Sequence, residues 1–80
     1  MKIYDYDGKK NICGDRVRKA RKSLGLSQEK LAARLQTEGV NIERDSVSRI
    51  EIGTRFVADF EIFALCKVLN VKADYLLGIE

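Results

Sequence analysis

The stretch RDSVSRIEIG, Arg44 to Gly53, predicts a helix with one apolar face and one polar face. At about 100° per residue, Val47 and Ile50 fall on the same side of such a helix. The opposite side carries only polar side chains, namely Arg44, Asp45, Ser48 and Arg49. Glu51 borders the apolar side, where desolvating an unpaired carboxylate would be costly. The stretch therefore predicts a buried face, a second face that meets something polar, and a partner for Glu51.

The length of the chain limits it to one small domain. With 80 residues in the chain, folding buries only about 60% of the unfolded surface, so a single core is expected. No apolar run approaches the roughly 18 residues of a membrane span. The first residues, MKIYDYD, lack the apolar stretch of a signal peptide. We therefore expect a cytoplasmic protein that does not bind a membrane.

Residue types needed for catalysis and metal binding are scarce. The chain has no histidine, and its two cysteines, Cys13 and Cys66, are far apart, so a zinc site is not predicted. A glycine-rich phosphate loop and paired carboxylates are also missing from the sequence. We therefore predict a protein that is not an enzyme and uses no cofactor. Both cysteines fall on apolar helical stripes and are interpreted as buried thiols; the alternative is a redox switch, although cytosolic disulfides are rare.

Basic residues are concentrated in the first half of the chain. Residues 1–37 hold ten Lys and Arg against four Asp and Glu (10 − 4 = +6), whereas residues 38–80 hold five against eight (5 − 8 = −3). The excess peaks between Lys9 and Lys22, where seven basic residues are opposed only by Asp15. A polyanion such as nucleic acid would explain this clustering, although charges on an exposed helix are also common as a solvated surface.

Apolar residues recur with helical spacing between glycines, which predicts an all-α bundle of five short helices. The helices are expected at about residues 13–24, 28–38, 44–51, 59–69 and 73–77, with Ser27 as the N-cap of the second. Gly39 and Asn70 are expected to end the second and fourth helices in a left-handed conformation. The residues predicted to face the core are Val17, Ala20, Arg21, Leu24, Leu31, Ala32, Leu35, Val47, Ile50, Ile62, Phe63, Leu65, Cys66, Leu69, Tyr75, Leu76 and Leu77.

Two short helices, LSQEKLAARL and RDSVSRIE, joined by a turn, fit a helix-turn-helix. The segments RKARKSLGLSQEKLA, SVSRIEIGTR and LCKVLNVKADYLLG resemble the phage-repressor and Cro-type helix-turn-helix family. The match extends from Cys13 to Gly78, which predicts a tail at residues 1–12 and a DNA-binding domain at residues 13–78. The resemblance implies a lambda-repressor-like fold in which the third helix enters the major groove and the second crosses the phosphate backbone.

The resemblance also implies roles for individual residues. The positions expected to face base edges are Arg44, Asp45, Ser48 and Arg49. Those expected to contact phosphates are Ser27, Gln28, Lys30, Gly53, Thr54 and Arg55. For Asp45, a role as an acidic residue that stabilises the helix N-terminus is an equally good explanation. Ser27 is more simply explained as an N-cap.

A glutamate at the end of the third helix pairs with an arginine of the first helix in this family. The corresponding positions here are Glu51 and Arg21, so the resemblance implies an ion pair between them. Each residue then explains why the other is charged on an apolar stripe. We predict a structural role for this pair, and no role in reading DNA.

The chain departs from the family pattern between the second and third helices. The segment QTEGVNIERD is about five residues longer than the usual tight turn. Either the second helix is extended, or the segment is an ordered loop that packs through Val40 and Ile42. The tail has three alternatives: disorder, an edge strand through Ile3, Tyr4 and Tyr6, or contact with DNA through Lys9 and Lys10.

The predicted function is that of a transcriptional regulator, a repressor, that binds double-stranded DNA sequence-specifically. Members of the family bind as dimers, so a homodimer on a palindromic operator is expected. No small-molecule ligand is inferred. The alternative is a protein-interaction module, such as an antitoxin or anti-regulator, that no longer depends on DNA.

Overall fold

The fold consists of five α-helices connected by short loops. The computed structural model describes residues 5–79. The helices are α1 (Gly14–Ser23), α2 (Gln28–Thr37), α3 (Arg44–Ile52), α4 (Asp59–Leu69) and α5 (Ala73–Leu77). Each lies within about two residues of its predicted position, and the predicted all-α bundle is confirmed. Within the described residues, no helix is long and apolar enough to cross a membrane.

Local sequence signals define the helix ends. The Ser27 hydroxyl accepts a hydrogen bond from the Lys30 amide at 3.0 Å, which confirms Ser27 as the N-cap of α2. Asn70 ends α4 with φ of 57°, and Gly53 ends α3 with φ of 87°. Both conformations are left-handed, which asparagine tolerates and glycine adopts without a steric cost. The backbone therefore turns sharply after α3 and brings residues 53–55 back towards the rest of the protein.

The core forms where all five helices meet. The side chains of Val17, Leu31, Leu35, Val47, Ile50, Leu65 and Leu76 are almost completely buried. Helices α1 and α2 both pack against α3, and α4 contacts α1, α2 and α5. Because α3 uses only Val47, Ile50 and Glu51 as its buried side chains, its remaining surface is available to a partner.

Two residues predicted to face the core are instead exposed. Leu24 is the C-cap of α1, so its side chain no longer follows the stripe of that helix, and Leu26 is buried in the loop that follows. Phe63 is 68% exposed, and the smaller Ala64 occupies the core beside it. Apolar residues occur around most of α4, so helical periodicity alone could not decide which of them faces inward.

The long connection between α2 and α3 is an ordered loop. Helix α2 ends at Thr37, so it is not extended through the loop. Val40 and Ile42 are buried in the core, as the second alternative predicted. The Gln36 side chain donates a hydrogen bond to the Ile42 carbonyl at 2.8 Å. The additional residues therefore contribute to the core, and α3 begins at Arg44 as expected.

The two cysteines are free thiols in different environments. Cys13 is buried, as predicted, whereas Cys66 is only partly buried. Burial, partly opposed by a backbone hydrogen bond, raises the pKa of the Cys13 thiol to about 11. Because the thiolate is the reactive species, Cys13 is expected to be chemically inert at neutral pH.

Candidate nucleic-acid interface

The polar face of α3 is exposed along the length of the helix. Arg44, Asp45 and Arg49 are exposed and Ser48 is half-buried, so the four residues predicted to face bases share one accessible side. The Arg44 guanidinium contacts the Asp45 carboxylate at 2.9 Å, and both side chains are more than half exposed. An exposed pair of this kind contributes little to stability. Either side chain can therefore give up this contact for one with a ligand at a low cost in free energy.

A buried ion pair anchors the opposite side of α3. Arg21 Nε and Glu51 Oε2 are 2.6 Å apart, and Arg21 Nη2 donates a second bond to Glu51 Oε1 at 3.0 Å. Arg21 Nη1 also donates to the Leu26 carbonyl at 2.7 Å. The two side chains are 9% and 2% exposed, so the pair lies inside the protein. The implied pair is present, and it connects the last turn of α3 to α1.

Residues at the start of α2 border this anchor. The Gln28 side-chain amide donates to Glu51 Oε1 at 3.1 Å, which ties the start of α2 to the end of α3. Lys30, two residues further along α2, is exposed. Ser27 is exposed as well, although its hydroxyl already caps the helix. Of these three residues predicted to contact phosphates, Lys30 therefore has the most accessible polar group.

Several of the groups after α3 that were expected to contact phosphate are already hydrogen-bonded within the protein. The amides of Gly53 and Thr54 both donate to the Arg49 carbonyl, at 3.0 and 2.9 Å. The Arg55 guanidinium donates to both carboxylate oxygens of Glu61, at 2.9 and 3.0 Å. Thr54 is exposed. The loop is therefore held in place by internal bonds, and the Thr54 side chain is its most accessible predicted phosphate contact.

Glu61 is a buried carboxylate that the sequence analysis missed. Besides Arg55, it accepts a hydrogen bond from the Ala58 amide at 3.0 Å. Burial opposes its ionisation, but the bonds from Arg55 and Ala58 outweigh burial, so its pKa lies below the usual value. The bond to Glu61 likewise raises the pKa of Arg55. Glutamate at the third position of a helix often bonds back to the N-cap amide, a signal that could have identified Glu61.

Asn11 is a second residue that the sequence analysis missed. Its side-chain amide donates to the carbonyls of Ile50 and Arg55, at 3.1 and 2.8 Å. Its Oδ1 atom accepts a bond from the Gly14 amide at 2.9 Å, as an N-cap residue would. Asn11 thus joins the end of α3, the following loop and the start of α1. An asparagine just before the first predicted helix was the available signal.

Gly14 allows α1 to approach α3 closely. A Cβ atom at this position would lie 2.3 Å from the Ile50 carbonyl oxygen and 2.9 Å from that of Glu51. Both obstacles are backbone atoms, so a side chain cannot be accommodated by changing a rotamer. Together with Asn11 and the Arg21–Glu51 pair, this contact fixes the C-terminal end of α3.

The described residues contain no cluster of His, Cys, Asp and Glu side chains that could hold a metal ion. The site instead combines the exposed polar face of α3, the buried Arg21–Glu51 pair behind it and basic residues on neighbouring elements. This arrangement suits the binding of an extended polyanion.

Comparisons with known proteins agree with this geometry. A family model described as helix-turn-helix matches residues 17–76. The restriction-modification controller protein C.AhdI from Aeromonas hydrophila superimposes with a TM-score of 0.70 and 33% sequence identity, covering 80% of this chain and 89% of that protein. The P22 c2 repressor, solved in complex with a synthetic operator, superimposes with a TM-score of 0.73 and 26% identity, covering 88% and 98% of the two chains.

No match is found among curated protein sequences. The family model nevertheless covers most of the chain, and the two solved structures match over nearly the whole fold. The chain therefore belongs to the phage-repressor and Cro-type helix-turn-helix family of DNA-binding regulators.

Proposed function

We propose that this protein is a transcriptional repressor that binds double-stranded DNA sequence-specifically by placing α3 in the major groove. The observation that carries the proposal is the exposed face of Arg44, Asp45, Ser48 and Arg49, mounted on a helix whose opposite side is fixed by Glu51. A helix held in this way presents its side chains to a groove in a defined orientation, as a helix-turn-helix requires.

The proposed base contacts follow from the donors and acceptors of α3. Arginine can donate two hydrogen bonds to guanine, and a carboxylate can accept one from cytosine, each good pair giving about 1 to 3 kcal/mol of discrimination. Arg49 and Arg44 supply the donors, and Asp45 supplies the acceptor. Since Asp45 also contacts Arg44 at 2.9 Å, its carboxylate can instead orient that arginine. We therefore propose an operator with G·C pairs beneath α3.

The proposed phosphate contacts lie on both sides of α3. We infer that Lys30 and the α2 N-terminus, with Ser27 and Gln28, face one strand. The Thr54 side chain faces the other, whereas the Gly53 amide, predicted as a phosphate contact, already donates to the Arg49 carbonyl. Arg55 is held by Glu61, so its contribution is mainly to shape the loop. These contacts would fix the position of the protein on the duplex without reading its sequence.

We further propose a homodimer that binds a palindromic operator in the cytoplasm and performs no catalysis. The P22 c2 repressor, which was solved with operator DNA, is similar over 88% of this chain and supports a repressor that reads an operator. In this type of protein, two copies bind half-sites about one helical turn apart. The half-site spacing of an operator for this chain would therefore report the separation of its two α3 helices.

A protein-interaction module is the second candidate function. Phe60 and Phe63 lie one turn apart on α4, and both are more than 60% exposed. Exposed aromatic residues in proximity are typical of surfaces that contact other proteins. The same residues would also suit contact between two copies of a DNA-binding dimer.

The decisive experiment is selection of duplexes from a random double-stranded library, followed by titration of the best sequence at several salt concentrations. We expect a palindromic sequence that outcompetes bulk DNA. Arg49→Ala should reduce the ratio of specific to non-specific affinity by about 5- to 150-fold if one good base contact is lost. Lys30→Ala should weaken binding to all duplexes and reduce the salt dependence by about one counterion.

Lys72→Ala is a matched control, because Lys72 is exposed next to α5, which packs on α1 and α4. It should change binding little. If folded wild-type protein enriches no sequence and shows no salt-sensitive binding, the DNA-binding function is refuted. The candidate of a protein-interaction module would then take its place.

A further inference from the structure

Residues 6–9 form a tight turn before the first helix. The Tyr6 amide donates to the Lys9 carbonyl at 2.6 Å, and the Lys9 amide donates to the Tyr6 carbonyl at 3.0 Å. Between them, Asp7 and Gly8 have φ values of 52° and 80°. Two central residues with positive φ are characteristic of a type I′ turn, for which Asp-Gly is a favoured sequence. We call residues 6–9 the N-terminal turn.

The edge strand through Ile3, Tyr4 and Tyr6, one of the three alternatives for the tail, lies partly outside the described residues. Within them, the N-terminal turn is bonded to the end of α3. The Lys10 amide donates to the Gly53 carbonyl at 2.8 Å. The next residue, Asn11, makes the bonds to Ile50 and Arg55 described above. The segment before α1 is therefore attached to the same backbone that forms the proposed phosphate-binding loop.

The Lys9 side chain crosses the turn that ends α3. A Cβ atom at Gly53 would lie 2.9 Å from Lys9 Cδ and 3.1 Å from Lys9 Cγ, so the aliphatic stem of Lys9 rests on the glycine. Lys9 then borders a concave surface between α1, α2 and α3. The residues lining this surface are Lys9, Asp15, Arg18, Gln28, Glu51 and Ile52.

The charges around this concave surface favour an anion. Glu51 is neutralised by Arg21, which leaves Lys9 and Arg18 against Asp15. Lys9 and Arg18 are both exposed. Within residues 5–79, neither of them takes part in an ion pair. An ammonium group at this position can therefore bind a phosphate without first breaking a structural contact.

We propose that Lys9, held against Gly53 by the N-terminal turn, is a DNA phosphate-binding residue that extends the helix-turn-helix interface. This inference rests on the proposed function, because it requires α3 to lie in the major groove. Gln28, at the start of α2, lines the same concave surface as Lys9. The contact adds affinity but carries no sequence information, since it reaches only the backbone of the DNA.

The central test compares Lys9→Gln with Lys72→Gln, which remove the same charge from different surfaces. Binding is measured with the selected duplex and with an unrelated duplex of equal length, between 50 and 200 mM salt. Each lost phosphate contact lowers the slope of log affinity against log salt by about 0.9. We therefore expect Lys9→Gln to weaken binding several-fold to both duplexes at low salt. That deficit should shrink about threefold across this salt range, and Lys72→Gln should show neither effect.

Two further variants separate charge from folding. Gln keeps the Cβ, Cγ and Cδ atoms that cover Gly53, so the midpoint of thermal unfolding should be unchanged in Lys9→Gln. Lys9→Arg should retain the affinity and the salt slope. Gly8→Ala places its new Cβ in open space but disfavours the positive φ of the turn. It should therefore weaken binding partially while Lys9 is still present.

The outcomes distinguish this inference from the function on which it rests. If the wild-type protein shows no selective, salt-sensitive DNA binding, the proposed function is refuted and this inference with it. If the wild-type protein binds but Lys9→Gln matches Lys72→Gln in affinity and slope, only the role of Lys9 is refuted. If Lys9→Gln weakens binding and Gly8→Ala does not, the turn is not what holds the lysine.

Discussion

Replacing Arg21 with leucine would remove the cation that neutralises Glu51 inside the protein. In the native structure, Arg21 donates two bonds to the Glu51 carboxylate and one to the Leu26 carbonyl. Of its side-chain bonds within residues 5–79, Glu51 would keep the one from the Gln28 side chain. The substitution therefore leaves a buried carboxylate with one neutral donor and a carbonyl without its guanidinium partner.

The expected cost follows from the burial of the pair. Because the side chains of Arg21 and Glu51 are only 9% and 2% exposed, Arg21→Leu should reduce the free energy of unfolding by about 3 to 5 kcal/mol. A domain of this size is stabilised by only about 4 to 12 kcal/mol. Each kcal/mol lost shifts the unfolding midpoint by about 4 to 8 °C in small domains. We therefore expect a decrease of roughly 12 to 40 °C.

Urea denaturation followed by circular dichroism measures this cost, with an unchanged m value as the check that the variant unfolds in the same way. Arg44→Leu is the control, because it removes an arginine from an exposed pair and should cost less than about 1 kcal/mol. The double variant Arg21→Leu/Glu51→Leu should recover most of the stability, since both buried charges are then absent. The reasoning is wrong if Arg21→Leu costs no more than Arg44→Leu, or if the double variant is as unstable as the two single variants added together.

Two further predictions concern the contacts that position α3 and its loop. Gly14→Ala should destabilise the protein by about 1 to 3 kcal/mol in urea denaturation, because its Cβ meets two carbonyl oxygens of α3; a gain of about 1 kcal/mol, as helix propensity alone predicts, would contradict the close approach. The lowered pKa of Glu61 means that its contribution to stability is complete above its ordinary value of 4.5 and is lost as the pH falls through its pKa in the folded protein. The difference in unfolding free energy between wild type and Glu61→Gln should therefore shrink below pH 4.5; a constant difference down to pH 2 would exclude this pair as an acid-sensitive contact.

Features with local signals were predictable from the sequence. The five helices, the Ser27 cap and the left-handed Asn70 depend on neighbouring residues, and the structure places them as predicted. The Arg21–Glu51 pair joins residues thirty positions apart, and only the family resemblance connected them. Periodicity alone showed that each charge was anomalous without identifying its partner.

Features that depend on packing between distant segments were not predictable. Nothing in the neighbourhood of Gly14 indicates that α3 ends against it, because the obstacle is a backbone carbonyl 36 residues later. Asn11 donates hydrogen bonds to the backbone carbonyls of Ile50 and Arg55. Because every residue has a backbone carbonyl, the sequence does not identify these two as the acceptors. The exposure of Phe63 has a similar origin, since the position of neighbouring helices decided which apolar residues of α4 are covered.

Ion pairing determines which cations remain available to a ligand. In residues 38–79, three of the five basic residues are held by carboxylates of the same half of the chain; they are Arg44, Arg55 and Lys67. Among residues 5–37, Arg21 is the basic residue engaged in an ion pair. The basic excess within residues 5–37 is therefore largely available at the surface, whereas most cations of residues 38–79 already have partners.

The same distinction ranks the arginines near the proposed base contacts. Arg49 is exposed and takes part in none of the ion pairs found within residues 5–79. Arg44 must first give up its ion pair with Asp45, which costs little because both side chains are exposed. Arg55 would have to leave the buried Glu61 carboxylate, which would lose its cation. Substitution by alanine should therefore reduce sequence discrimination most at Arg49 and less at Arg44. At Arg55, it should act mainly by destabilising the loop.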